Sequence, residues 1–280
     1  MGVVFKKEFI VKVLVIIFLF VLSLGCWSEQ AMAAPTDPQS KHCTIYLAAA
    51  LFALREKSFN VDLASRLEHR YGYKVVMIQR DGFQFRHLDD SLKQNFPGND
   101  VLKAEQVLIY YLDMGYFIPR SDVIVAILDE EMDPGVLIEM TYANLLEKHI
   151  IGIRTDARSP YGAEPATGLH FFALFQLDRY GFFGDKANTT AETSAGIDAI
   201  AKFIHDQIAV WDQQGQCGLK IGSAMLQSPT MKKLLDGADI LYSGIPIKEI
   251  NSPQQLQTII KRYSDHQKEL SDIYPEIQIK

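Results

Sequence analysis

The stretch SDVIVAILDEEMDPGVLIEMTYANLLEKH, Ser121 to His149, decides the fold. Val123 to Leu128 is an unbroken apolar run rich in β-branched residues, the pattern of a strand covered on both faces, and such strands lie in the middle of parallel sheets. Asp133-Pro134 then opens a helix: the carboxylate accepts from the free N–H groups of the first turn, and proline at the first helical position has no N–H to lose. At about 100° per residue, Gly135, Val136, Tyr142, Ala143 and Leu146 surround Glu139, while Leu137, Thr141, Asn144 and Lys148 fall on the opposite side. A carboxylate therefore stands in a largely apolar stripe. Left unpaired there it costs on the order of several kcal/mol, so the chain pairs it, protonates it or uses it. On this window alone, a hydrogen-bonded core glutamate and a functional one stand level.

Working outward, Thr44 to Ala50 reads as the first strand, and Phe52 to Arg70 as an amphipathic helix with Phe52, Phe59, Leu63 and Leu67 on its inner side. Lys74 to Ile78 is the second strand, followed by the polar turn Gln79-Arg80-Asp81-Gly82. Phe83 to Asp100 has poor periodicity and reads as a surface loop or lid. Val101 to Ile118 is helical in pattern, carries Asp113, and is closed by Pro119. His149 to Arg154 is the fourth strand, Ser159 to Thr167 a Pro/Gly loop, and His170 to Leu177 the expected fifth strand. Thr193 to Trp211 is a helix with Ile197, Ile200, Ile204 and Ile208 on its buried face. Beyond Gly218, Ser228-Pro229 and Ser252-Pro253 each begin a further helix, at about 229–236 and 253–271.

This alternation predicts an α/β domain over 43–217, an open parallel five-stranded sheet with helices on both faces, followed by a helical C-terminal extension over 218–280. Ligands of such sheets bind outside the carboxyl ends of the strands. Here those ends carry Ala48-Ala49-Ala50, Gln79-Arg80-Asp81, Asp129-Glu130-Glu131-Met132-Asp133 and Arg154-Thr155-Asp156, which gathers much of the clustered polarity on one rim.

Residues 1–33 stand apart from the fold. Lys6, Lys7 and Lys12 precede an apolar run from Val13 to Cys26, and Ala31-Met32-Ala33 is a small-x-small cleavage site, so the segment reads as a secretory signal peptide ahead of a polar linker at 34–42. Lipidation at Cys26 is the lesser alternative. The mature chain is then expected to be periplasmic or secreted, with no membrane partner once the signal is removed. In that compartment Cys43 and Cys217 either form a bridge or stay as two buried thiols. A formal charge of −6 gives no electrostatic reason to expect nucleic acid as a partner.

The histidines are scattered without ligand spacing, so no metal is expected, and no glycine-rich phosphate or dinucleotide loop follows a strand, so no cofactor is expected. No Gly-x-Ser-x-Gly elbow is present. Carboxylate chemistry remains.

IYLAAALF (Ile45 to Phe52), QRDG (Gln79 to Gly82), SDVIVAILD, DPGVLIEMTYA (Asp133 to Ala143) and IIGIRTDAR (Ile150 to Arg158) together, in order and with appropriate spacing, resemble the nucleoside 2-deoxyribosyltransferase family over about Thr44 to Arg158. The resemblance implies a flavodoxin-like fold, a homo-oligomer, and a double displacement at the anomeric carbon of 2′-deoxynucleosides. Glu139 would attack C1′, Tyr46 would orient it, Asp133 would contact sugar hydroxyls, and Asp113 would hold or protonate the base, with Gln79, Arg80 and Asp81 as further substrate contacts. The partners would be small nucleosides and nucleobases. The family also completes its pocket with an asparagine from a neighbouring subunit after the fourth strand; the sequence departs from this, since Glu164 to Gly184 offers none and Asn188 is the nearest. A hydrolase of deoxynucleosides or their monophosphates, and a non-catalytic nucleoside-binding module, are the competing readings.

Overall fold

The computed structural model describes residues 43–158, 168–184, 188–217 and 221–275. The expected signal segment and linker, residues 1–42, and the Ser159–Thr167 loop lie outside the described residues. Strands β1 (Thr44–Ala48), β2 (Lys74–Met77), β3 (Val123–Ile127), β4 (His149–Arg154) and β5 (Arg179–Phe182) form one sheet, parallel throughout, in the order β2-β1-β3-β4-β5. This is the flavodoxin-like order, and the chain changes direction across the sheet between β1 and β3. The main helices are α1 (Leu54–Tyr71), α2 (Phe85–Lys93), α3 (Gly98–Tyr110), α4 (Pro134–Leu145), α5 (Thr190–Gln213), α6 (Pro229–Tyr242) and α7 (Pro253–Asp265). None of the described helices is long and apolar enough to cross a membrane.

Side chains alternate across a strand, so the sheet sorts its residues into two cores. Ile45, Leu47, Val123, Val125, Ile151 and Ile153 meet α1 and α5, the latter through the Ile197, Ile200, Ile204 and Ile208 face expected from its spacing. Tyr46, Ala48, Ile124, Ala126 and Ile150 point the other way, toward α2, α3, α4 and the C-terminal helices. The extension therefore has no core of its own: Leu234, Ala238, Leu241, Ile259 and Ile260 are buried in the same cluster as Leu108 and Leu112.

Several expectations are corrected. Phe83 to Asp100 is mostly α2 and the start of α3, because Leu88 and Leu92, four residues apart, are both fully buried. The fifth strand is Arg179–Phe182; His170 to Leu177 instead holds a one-turn helix, Phe171–Leu174, in which the His170 ring accepts from the Phe172 N–H. Its aromatic run is short enough to fit either element by apolar continuity alone. Phe52 lies before α1 and is 76% exposed, because Glu56 turns back to accept from the N–H groups of Phe52 and Ala53 and starts the helix at Leu54. Gln79 to Asp81 belongs to a helical turn, Ile78–Asp81. Pro119 sits within a short helix, Ile118–Arg120. The helix that carries Glu139 ends at Leu145, so Lys148 is not on its outer face; it is buried and donates to the Pro119 carbonyl at 3.0 Å. In the extension, α6 runs on to Tyr242, past the expected end near Asp236, and the last expected helix is divided at His266.

Cys43, at the entry to β1, and Cys217, after α5, are joined in a disulfide with Cα atoms 6.1 Å apart and a sequence separation of 174. Such a link restricts the unfolded chain, an effect worth about 2–4 kcal/mol. The Cys43→Ala/Cys217→Ala double variant should melt roughly 5–15 °C lower in calorimetry. Reductant should bring the wild type down to the variant and leave the variant unmoved.

Candidate active site

Beside the point where the strand order reverses, the carboxyl ends of β1 and β2 and the start of α4 border a cavity of about 180 Å3. Leu47, Asn60, Gln79, Asp113, Asp133 and Glu139 are among its lining. A larger recess of about 470 Å3 continues along the rim past Asp129 and Thr155 and shares Ala49, Asn60 and Asp133 with the first.

Asp133 is the N-cap of α4, its Oδ1 accepting from the Val136 N–H at 3.1 Å, and it lines both spaces. This cap sets the phase of the helix that brings Glu139 to the cavity. From β1, the buried Tyr46 hydroxyl donates to Glu139 Oε1 at 2.7 Å. Burial pushes the Glu139 carboxyl up to about 7; the Tyr46 hydrogen bond opposes the rise and nearby Asp133 adds to it. Asp113 comes from a π-helical turn, Tyr111–Phe117, that continues α3. Its Oδ1 is buried without a hydrogen-bond partner, and burial together with the Glu139 charge holds its carboxyl well above the usual carboxylate range. Two neighbouring buried acids do not readily ionise together, so the charge on Glu139 favours the protonated form of Asp113.

Gln79 belongs to the cavity wall, but its amide is engaged: Oε1 accepts from Asn60 Nδ2 at 3.0 Å and Nε2 donates to the Lys57 carbonyl at 3.0 Å. Arg80 and Asp81 turn away from the cavity. Arg80 donates to Glu68 at 2.9 and 3.0 Å and contacts Asp81, while Asp81 accepts from the Met77 N–H at 2.8 Å, so this pair ties the end of β2 to α1. Asn188 is exposed at the start of α5, where its N–H donates to Glu192, and it is not among the cavity residues.

Asn60 was not singled out from the sequence. It is 2% exposed, lines both spaces, and bonds the Ala50 carbonyl at 2.9 Å besides Gln79. The signal was available, since Asn60 stands on the inner stripe of α1 beside Leu63 and Leu67, as Glu139 does on α4. Arg154 is fully buried and does not pair with Asp156: it donates to the carbonyls of Leu128 (2.8 Å), Asp156 (3.0 Å) and Arg158, locking the ends of β3 and β4 together. Asp156 pairs with Arg158 instead, which lowers its carboxyl to about 2.

Fold and site together define a flavodoxin-like α/β protein with a tyrosine-bound glutamate and a second buried acid at the switch point of its sheet. No family model and no curated protein matches the chain. Among solved structures, the crystal structure of a conserved protein from Enterococcus faecalis V583 is similar to it at a TM-score of 0.36 and 15% identity, covering 56% of this chain and 98% of that one.

The raised Glu139 carboxyl sets a stability relation whose sign is fixed. Its folded value, about 7, lies above the ordinary 4.5, so the fold keeps its full stability below 4.5 and loses some as pH rises through 7, on the order of 3 kcal/mol once ionisation is complete. Glu139→Gln should therefore melt with the wild type at pH 4.5 and above it at pH 8, with the difference growing between those limits in thermal scans. A constant difference would place the glutamate in a water-like environment.

Proposed function

We propose that this chain cleaves the N-glycosidic bond of 2′-deoxynucleosides through Glu139 and passes the sugar to a second base. The observation that carries the reading is the 2.7 Å bond from Tyr46 to Glu139 in a cavity that also holds Asp113. Departure of a base leaves positive charge spread over C1′ and the ring oxygen, and a carboxylate beneath C1′ stabilises that charge and then bonds to it. The balance is simple. Glu139 bonds to C1′ as the C1′–N bond breaks, the base leaves with the electron pair, and it takes a proton from Asp113. An incoming base then attacks C1′ with its nitrogen lone pair, returns a proton to Asp113, and releases the Glu139 carboxylate.

The two acids have opposite protonation requirements, and their surroundings push them that way: burial and the Glu139 charge favour neutral Asp113, and the Tyr46 hydrogen bond favours ionised Glu139. Asp133 is the group we assign to sugar hydroxyls. Gln79 serves the base site as a wall whose amide orientation is preset by Asn60, and Arg80 and Asp81 drop out of the substrate contacts. An export signal at 1–33 would put this chemistry outside the cytoplasm.

The test is chromatography of the mature protein with deoxyinosine alone and with deoxyinosine plus adenine. Deoxyadenosine formed only in the second mixture is the expected result, and Glu139→Gln should reduce it at least about 1,000-fold. Free hypoxanthine without exchange would replace transfer by hydrolysis, with water as the acceptor. No reaction with either mixture would overturn the reading. Within it, the acid limb of the pH–rate profile should lie near 7 and move upward in Tyr46→Phe, because removing the donor raises the glutamate further.

A further inference from the structure

The C-terminal extension adds a layer beyond the α/β domain, and its closest engagement is with the π-helical turn that bears Asp113. Widening a helix from four-residue to five-residue closure weakens its hydrogen bonding, so such a turn persists where other groups compensate. Here α6 compensates from both ends. At the entry, the fully buried Tyr242 hydroxyl donates to the Leu108 carbonyl at 2.6 Å, in the last turn of α3 before the widening. At the exit, Arg120 donates to the carbonyls of Gly115 (3.2 Å) and Tyr116 (3.3 Å) and is itself paired with Asp239 of α6 at 2.5 Å. Between them Gly115 lies so close to α6 that a Cβ there would stand 2.7 Å from the Ala238 Cβ.

Asp113 has no comparable anchor on the cavity side. Its Oδ1 is without a partner; the charge of Glu139 on α4 acts on it across the packed elements, and Asp113 in turn acts on the Tyr46 hydroxyl of β1 and the Tyr242 hydroxyl of α6. Its direction is thus set by the backbone turn, which is gripped from behind. We propose that Tyr242 is a positioning residue: with the Arg120–Asp239 pair, it holds the π-helical turn in the form that aims Asp113 into the cavity. The catalytic meaning of that aim rests on the proposed function, whereas the aim itself does not.

The experiment is carbon NMR of the full mature chain labelled at aspartate carboxyls, with the Asp113 resonance identified by its loss in Asp113→Asn. In the wild type this carboxyl should be neutral at pH 7. In Tyr242→Phe, which keeps the ring and removes only the hydroxyl, the turn should relax and the Asp113 midpoint should fall by about one pH unit or more as the group gains water. A midpoint that stays in place, whatever happens to the melting temperature, would reduce Tyr242 to packing and overturn the proposal. Arg120→Lys, at the exposed end of the same grip, has the same two outcomes and serves if Tyr242→Phe does not fold. If the protein turns over, Tyr242→Phe should also lose more rate on deoxyinosine than on a nitrophenyl deoxyriboside, whose leaving group needs no acid. A wild type inactive on nucleosides would remove the proposed function and leave the titration test standing.

Discussion

The hydrogen bond from Tyr46 to Glu139 is the constraint on which the rest of the site depends. It joins the first strand to the helix after the third, across 93 residues of sequence, and it exists because strand periodicity sends Tyr46 to the face that α4 covers. A slip of one residue in β1 would exchange Tyr46 with Ile45 or Leu47 and turn the hydroxyl into the opposite core. Register is held against that slip by pairing on both sides, Tyr46 standing opposite Val76 on β2 and Ile124 on β3.

Around this bond the rim divides into groups already committed to the fold and groups left open. Asp129 accepts from the N–H groups of Thr155 and Asp156 and from the Thr155 hydroxyl, and Arg154 gathers three carbonyls from the same two strand ends. These contacts make a rigid floor between β3 and β4. Asp113 and Glu139 have no such network, and their raised carboxyls are the physical trace of that difference. Polarity at strand ends thus serves two purposes, tying β3 to β4 at Asp129 and Arg154 and leaving Asp113 and Glu139 facing the cavity.

How much of this could be read in the sequence follows from the range of each signal. The central strand, the Asp133-Pro134 start of α4 and the Glu139 anomaly are set by local periodicity and capping, and they were legible. Arg80 and Asp81 illustrate the limit: adjacency to a strand end says nothing about direction, and the partner that draws Arg80 away, Glu68, comes from another element. Asp113 depends on a π-helical turn, and a period of 3.6 residues carries no mark of where a helix will widen. Its meeting with Glu139 is a tertiary fact. Asn60 carries the same signal as Glu139, a polar side chain on an apolar stripe, without a charge to mark it.

The extension also bears on why such a pair of acids can be kept. With Glu139 ionising near 7 instead of 4.5, the fold gives up on the order of 3 kcal/mol at alkaline pH, and Asp113 leaves one buried oxygen without a partner besides. For a domain stable by only about 5–15 kcal/mol, that is a large fraction. The compensation lies on the same face of the sheet. Leu234, Leu241, Leu256, Ile259 and Ile260 of the extension are all buried against the layer that carries Asp113, and each contributes about 1.5–3 kcal/mol before its ordering cost. A turn with an unsatisfied buried oxygen is tolerated here because the helices packed against it also supply apolar burial that offsets it. Removing α6 and α7 would therefore cost the acid its direction and the fold part of its margin at the same time.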